Sequence, residues 1–166
     1  EMCIRDRTIT KSATWTGGTF FDTVFIQPAA TFAISGAELK QIWSGGVIHN
    51  SGATTWTGPG LLRGYQNSTW NNKPGGSFTM TGDGDLFANY YSGNVFNNEA
   101  GATFTKTSGE PGDASTYIDE WTFNNNGRIE SQQGTLHFNT TLNLNAGSNL
   151  AGAGRVLFNG TTNLAV

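Results

Sequence analysis

Repeatedly along its 166 residues, an Asn followed closely by a Gly introduces a strand-like segment. The strings are Ile48-His49-Asn50-Ser51-Gly52, Trp70-Asn71-Asn72-Lys73-Pro74-Gly75, Phe96-Asn97-Asn98-Glu99-Ala100-Gly101, Phe123-Asn124-Asn125-Asn126-Gly127 and Leu144-Asn145-Ala146-Gly147. With Asn50, Asn72, Asn98, Asn126 and Asn145 as anchors, the steps are 22, 26, 28 and 19 residues. A unit of that length cannot bury a hydrophobic face alone, but a stack of such units can. Asn and Gly also suit tight corners, because both tolerate a left-handed backbone.

A second ladder runs through the same text. Thr31, Thr55, Thr79 and Thr103 are each 24 apart and precede Phe32, Trp56, Met80 and Phe104. This is period-2 alternation, with the bulky residue facing in and Thr facing out. Aligning the Gly turns instead shifts the register by two and pairs Phe78 with Phe104, and the inward parity survives that shift. Ile129, Leu136, Phe138, Leu142, Leu144, Val156 and Phe158 alternate in the same way. Gly and β-branched Thr are too dense for helices; only residues 36–43 offer a short turn of one. The expected fold is all-β: a parallel β-solenoid of about six to seven coils of roughly 24 residues, some 30 Å long at ~4.8 Å per coil. Stacked Asn side chains are expected to hydrogen-bond along its axis.

Composition limits the chemistry. Charged residues make up 13% of the chain, about half the usual share, and the net charge is −3. Such a surface does not suit nucleic acid. Aromatics at 12% argue against disorder. No apolar run reaches the ~18 residues of a membrane span. The single cysteine, Cys3, excludes a disulfide framework and a thiolate metal site. Residues 1–7 lack the repeat and carry four charges. They resemble translated adapter read-through at the ends of metagenomic gene fragments, so they are expected to be a non-native or disordered arm. Residues 8–166 then form a single solenoid domain, expected to be an internal fragment of a longer protein.

The strings Ala13-Thr14-Trp15-Thr16-Gly17-Gly18-Thr19-Phe20, Thr31-Phe32-Ala33-Ile34-Ser35-Gly36 and Gly127-Arg128-Ile129-Glu130-Ser131, with the Asn-Gly strings above, are similar to bacterial secreted β-solenoid repeats. Such repeats occur in filamentous-haemagglutinin-like and autotransporter-like surface proteins. The resemblance covers most of residues 13–160. It implies a right-handed parallel β-helix in a large, exported, non-catalytic protein, placed extracellularly or on the cell surface. Residues 65–69 and 109–120 depart from the pattern and read as inserted loops.

Several constellations carry possible chemistry. Asp83 and Asp85 in Gly82-Asp83-Gly84-Asp85 offer oxygen ligands to Ca²⁺, the one cofactor the sequence suggests; an acidic solvent-facing turn is the simpler reading. Glu110, Asp113, Asp119 and Glu120 fall in one loop, which raises a polysaccharide lyase or hydrolase as an alternative. His49 and His137, the only histidines, lie on different coils and lack further metal ligands. Trp15, Trp43, Trp56, Trp70 and Trp121, with Tyr65, Tyr90, Tyr91 and Tyr117, are candidates for a sugar-stacking strip. Trp70, Tyr90 and Tyr91 flank corners and are the ligand-binding candidates. The outward pairs Thr14/Thr16, Thr55/Thr57, Thr79/Thr81 and Thr103/Thr105 resemble the arrays of ice-binding solenoids. Ala33 and the unequal steps count against the flat face that such binding needs. The expected partners are surface glycans or host and matrix proteins, without nucleic acid or membrane insertion. The isolated chain is also expected to associate end to end.

Overall fold

The computed structural model describes residues 6–88, 91–108 and 115–165. Among the described residues there is no helix. Twenty-two short strands form three parallel sheets of eight, seven and seven strands. Sheet A opens with Arg7–Ile9 and closes with Thr162–Leu164. Sheet B runs from Ser12–Trp15 to Asn149–Ala151, and sheet C from Gly18–Phe20 to Arg155–Phe158. The chain visits the three sheets in rotation and completes seven coils, a β-solenoid about 34 Å long at ~4.8 Å per coil. The first strand takes in Arg7, whose guanidinium lies 5.5 Å from the centre of the Phe20 ring.

Strand parity follows from the alternation in the sequence. Phe32, Trp56, Met80 and Phe104 are all buried, while their preceding threonines are not. The even 24-residue stacking does not hold. Phe32 pairs with Thr54, and Ile34 pairs with Trp56. Met80 does sit on Trp56, but Phe104 pairs with Phe78, as the Gly turns require. The connections from sheet A to sheet B are either two or four residues long, and a change of two moves the register without turning any side chain over. The unequal coil lengths are thus taken up at the corners. Residues 36–43 are not helical: Lys40–Trp43 is a strand of sheet C, where four residues pair with Leu62–Tyr65. Residues 65–69 form a tight corner, with Gln66 and Asn67 at φ 47° and 59° and Ser68 buried, so no loop projects there. Of the acidic stretch, Ser115–Ile118 is a strand of sheet C.

Aromatic rings form the middle of the core. Phe78, Phe96, Phe104 and Phe123 pack with centroids 4.7–5.5 Å apart, stacked within each sheet and edge-on between sheets. Where a ring is large, its neighbour is small. Gly64 occupies an inward position of sheet C, and a Cβ there would come within 2.6 Å of the Trp121 indole.

Two asparagine ladders run along the axis. In the inner one, the buried Nδ2 groups of Asn50, Asn72 and Asn98 donate to Oδ1 of Asn72, Asn98 and Asn125 at 2.8, 2.9 and 2.7 Å. The same three Nδ2 groups donate to the carbonyls of Ser77, Thr103 and Arg128 at the start of sheet B strands. Each amide therefore ties its own coil to the next and fixes the corner between sheets A and B. Asn125, not Asn126, holds the fourth place; Asn126 lies outside, where it accepts from Asn145 at 2.9 Å. Ile26 and Leu144 end the inner ladder. In the outer ladder, Asn97, Asn124, Asn143 and Asn163 donate in the reverse direction, to Asn71, Asn97, Asn124 and Asn143. The two rows of amide dipoles run in opposite directions, so their axial fields offset one another.

Candidate functional site

The outer faces carry three different surfaces. On sheet B, two in-register columns of small side chains run over five coils. One is Ser12, Thr31, Ala53, Ser77, Thr103, and the other is Thr14, Ala33, Thr55, Thr79, Thr105. The column pattern is unbroken, although the coil lengths vary. It ends at Arg128 and Glu130, whose side chains pair at 3.1 Å.

Sheet C and the corners that follow it carry an aromatic column. Trp43 and Tyr65 stack face to face, with centroids 3.6 Å apart and planes 4° from parallel. Phe21 lies 6.2 Å from Trp43, and Tyr91 lies 3.7 Å from Tyr65 at a tilt of 46°. The Tyr65 hydroxyl is hydrogen-bonded to that of Tyr91, which holds its pKa above the usual phenol value. Each of the middle two rings presents a face to the other, so only the ends of the column have faces to offer a ligand. Beside it, the Gln41 side-chain amide faces the Arg63 guanidinium.

Of the two ligand-binding candidates from the sequence that lie among the described residues, Trp70 and Tyr91, only Tyr91 reaches the surface. Trp70 is fully buried and packs edge-on against Phe78 at 4.9 Å. It sits at an inward position of sheet A, stacked on Phe96, and has no face for a sugar. Tyr90 lies outside the described residues, as do Glu110 and Asp113.

Tyr91 lines a shallow open groove of about 370 Å³ with Ser92, Gly93, Asn94, Glu120, Thr122, Thr140 and Thr141. The groove marks a step in the rod. The connection leaving Phe87 reaches sheet A only at Asn94, whereas the next runs from Ile118 straight to Trp121. The upper lip is held from inside. The buried Asn94 side chain donates to the Tyr91 carbonyl at 2.6 Å and accepts from the Ser68 N–H at 3.1 Å. Gly93 has φ 80°, and a Cβ there would strike the Asn67 side chain. On the lower side, Thr140 donates to the Trp121 carbonyl at 2.5 Å. Tyr91 and Glu120 stood out in the sequence, but Thr122, Thr140 and Thr141 did not. Their convergence depends on unequal connection lengths, which no local pattern records.

The Gly82–Asp85 turn, the candidate for oxygen ligands, receives a lysine from the interior. Lys106 is fully buried, and its ammonium donates to Asp83 Oδ1 at 2.7 Å, the Gly82 carbonyl at 3.2 Å and the Thr116 hydroxyl at 3.2 Å. Lys106 thus balances the Asp83 carboxylate from the interior of the rod. Asp85 Oδ1 accepts from the Tyr117 N–H at 2.7 Å. Burial, aided by the nearby Asp119 carboxylate, raises the Asp85 pKa. Among the described residues, no group of three or more His, Cys, Asp and Glu is placed to hold a metal. His49 stacks on Phe25 at 5.1 Å and His137 on Tyr117 at 4.6 Å, on different sheets.

Comparison of the chain with protein-family models, curated proteins and solved structures gave no match.

Proposed function

We infer that this chain is a structural and adhesive, non-catalytic segment of a bacterial exported or cell-surface protein, bearing its partners on the outer faces of a stiff rod. The observation that carries this reading is the axial continuity of the solenoid. An aromatic core and two asparagine ladders of opposed polarity tie each coil to the next. The chain's polar side chains largely serve cohesion, and the buried ammonium groups of Lys40 and Lys106 are each held by the turn beside them. Asp85, the carboxylate with the raised pKa, caps a strand by accepting from Tyr117.

Beads coated with the chain test the reading against mucin- and matrix-coated surfaces under flow. The expected result is retention, with no new reducing ends released from the polysaccharides present. Release of reducing ends would overturn the non-catalytic assignment, and loss of retention would overturn the adhesive one. The small-residue columns of sheet B favour a second reading, ice binding, because they stay in register over five coils. Thermal hysteresis at millimolar protein would establish it, and freezing at the equilibrium point would dismiss it.

A further inference from the structure

We propose that the groove at the step below Tyr91 binds a neutral sugar residue of a glycan chain, stacked on Tyr91 and hydrogen-bonded by Thr122, Thr140 and Thr141. This names the ligand class for the adhesive reading above and rests on it.

The geometry points to a sugar for three reasons. First, the aromatic column ends at the groove. Tyr65 covers one side of the Tyr91 ring, and the short connection from Ile118 to Trp121 supplies no ring for the other. A pyranose has an apolar C–H face that suits such a ring end, and a rim of hydroxyls. Second, the rest of the lining is hydroxyls and a carboxylate. Thr122, Thr140 and Thr141 come from two successive coils and stand beside Glu120. Those groups match the hydroxyl rim of a sugar better than they match an apolar peptide. Third, Glu120 is the one charged group among the lining residues, and it is an acid. No Lys, Arg or His is among the lining residues to meet an anionic group, so the site favours neutral over uronic, sialic and sulfated sugars. The groove is open to solvent, and its upper lip is pre-organised by Asn94 and Gly93.

Isothermal titration of the full chain with cellohexaose, chitohexaose and mannohexaose tests the proposal, with hexagalacturonate as the anionic counterpart. At least one neutral hexasaccharide should bind at sub-millimolar concentration, and hexagalacturonate at least about tenfold more weakly. Thr122→Val and Thr141→Val each keep the side-chain shape and remove one hydroxyl. Each should weaken binding by about five- to tenfold, and together they should abolish it. Tyr91→Ala should abolish binding on its own. Because Tyr91 also packs against the core, circular dichroism must first show that this variant is folded; if it is not, the threonine pair decides. The proposal is overturned if none of the three neutral probes binds at 5 mM. It is equally overturned if the threonine double variant binds as well as the parent, or if hexagalacturonate binds as tightly as the neutral probes. Beads that hold to matrix proteins while no neutral probe binds would sink this proposal and leave the adhesive reading standing.

Discussion

Removing one rung of the inner asparagine ladder tests what ties the coils together. Asn72 is fully buried and takes part in three side-chain hydrogen bonds. Its Nδ2 donates to Asn98 Oδ1 at 2.9 Å and to the Thr103 carbonyl at 2.8 Å, and its Oδ1 accepts from Asn50 Nδ2 at 2.8 Å. In Asn72→Ala, Asn50 Nδ2 keeps its bond to the Ser77 carbonyl, so that donor is only half released. Asn98 Oδ1 and the Thr103 carbonyl lose this donor inside the rod, where water does not reach. At about 1–2 kcal/mol for each stranded acceptor and about 1 for the weakened donor, the loss is about 3–5 kcal/mol. Asn97, the neighbouring residue on the outer ladder, makes two bonds of the same kind at 2.8 Å on a half-buried outward face. Water can replace them, so Asn97→Ala should cost about 1 kcal/mol or less. Urea denaturation of the two variants and the parent measures both costs, with the slope m as a check that the transition is comparable. Asn72→Asp should be at least as damaging at neutral pH. A carboxylate has no proton for either acceptor, and its burial raises its pKa, so the penalty should shrink as pH falls. Costs for Asn72→Ala and Asn97→Ala that agree within about 0.5 kcal/mol would refute the claim that the inner ladder carries the axial cohesion.

Other expectations follow from the same packing. Phe104→Ala should cost about 3–5 kcal/mol and Thr103→Ala under about 1 kcal/mol by chemical denaturation; equal costs would mean that the inward parity is misassigned. Thr54 is buried between Phe32 and Phe78, and its hydroxyl has no hydrogen-bond partner. Thr54→Val should therefore raise stability by about 1 kcal/mol, or Tm by about 2–4 °C, and a fall in Tm would contradict the packing. His49 is the group to watch on acidification. Burial lowers its pKa below the usual imidazole value, and its Nδ1 faces Asn71 Nδ2 at 3.3 Å. Between the folded and unfolded pKa values the unfolded chain binds more protons, so stability should decline as pH drops through the ordinary histidine range. His49→Asn should remove that decline; an unchanged pH profile in the variant would show that His49 is not its source. At the far end, Leu150, Phe158 and Leu164 are 42%, 42% and 70% exposed, beside strand edges that pair with no further strand among the described residues. The 166-residue chain should self-associate end to end, and sedimentation as a clean monomer at tens of micromolar would refute that.

Strand identity and side-chain direction were legible from the residues because both are local. Alternation of Thr with Phe, Trp or Met along four residues sets which side chain points inward, whatever lies above or below. The ladder of asparagines was legible for a related reason: Asn recurs beside a corner, and identical coils place identical side chains in contact. What no stretch of text carried was the axial register. Phe32 lies over Thr54, and Phe104 lies over Phe78, because connections of unequal length slide whole strands by two residues, and only the packed neighbour selects among registers of equal parity. The same limit explains Trp70, which flanks a corner in sequence yet points into the aromatic core. It explains Asp83, whose partner Lys106 is 23 residues away and reaches it through the interior. And it explains the groove at Tyr91, which exists only because a long connection is stacked on a short one. Periodicity over a few residues governs direction, whereas proximity between coils is decided by the summed lengths of corners and the space that each core side chain leaves for the next.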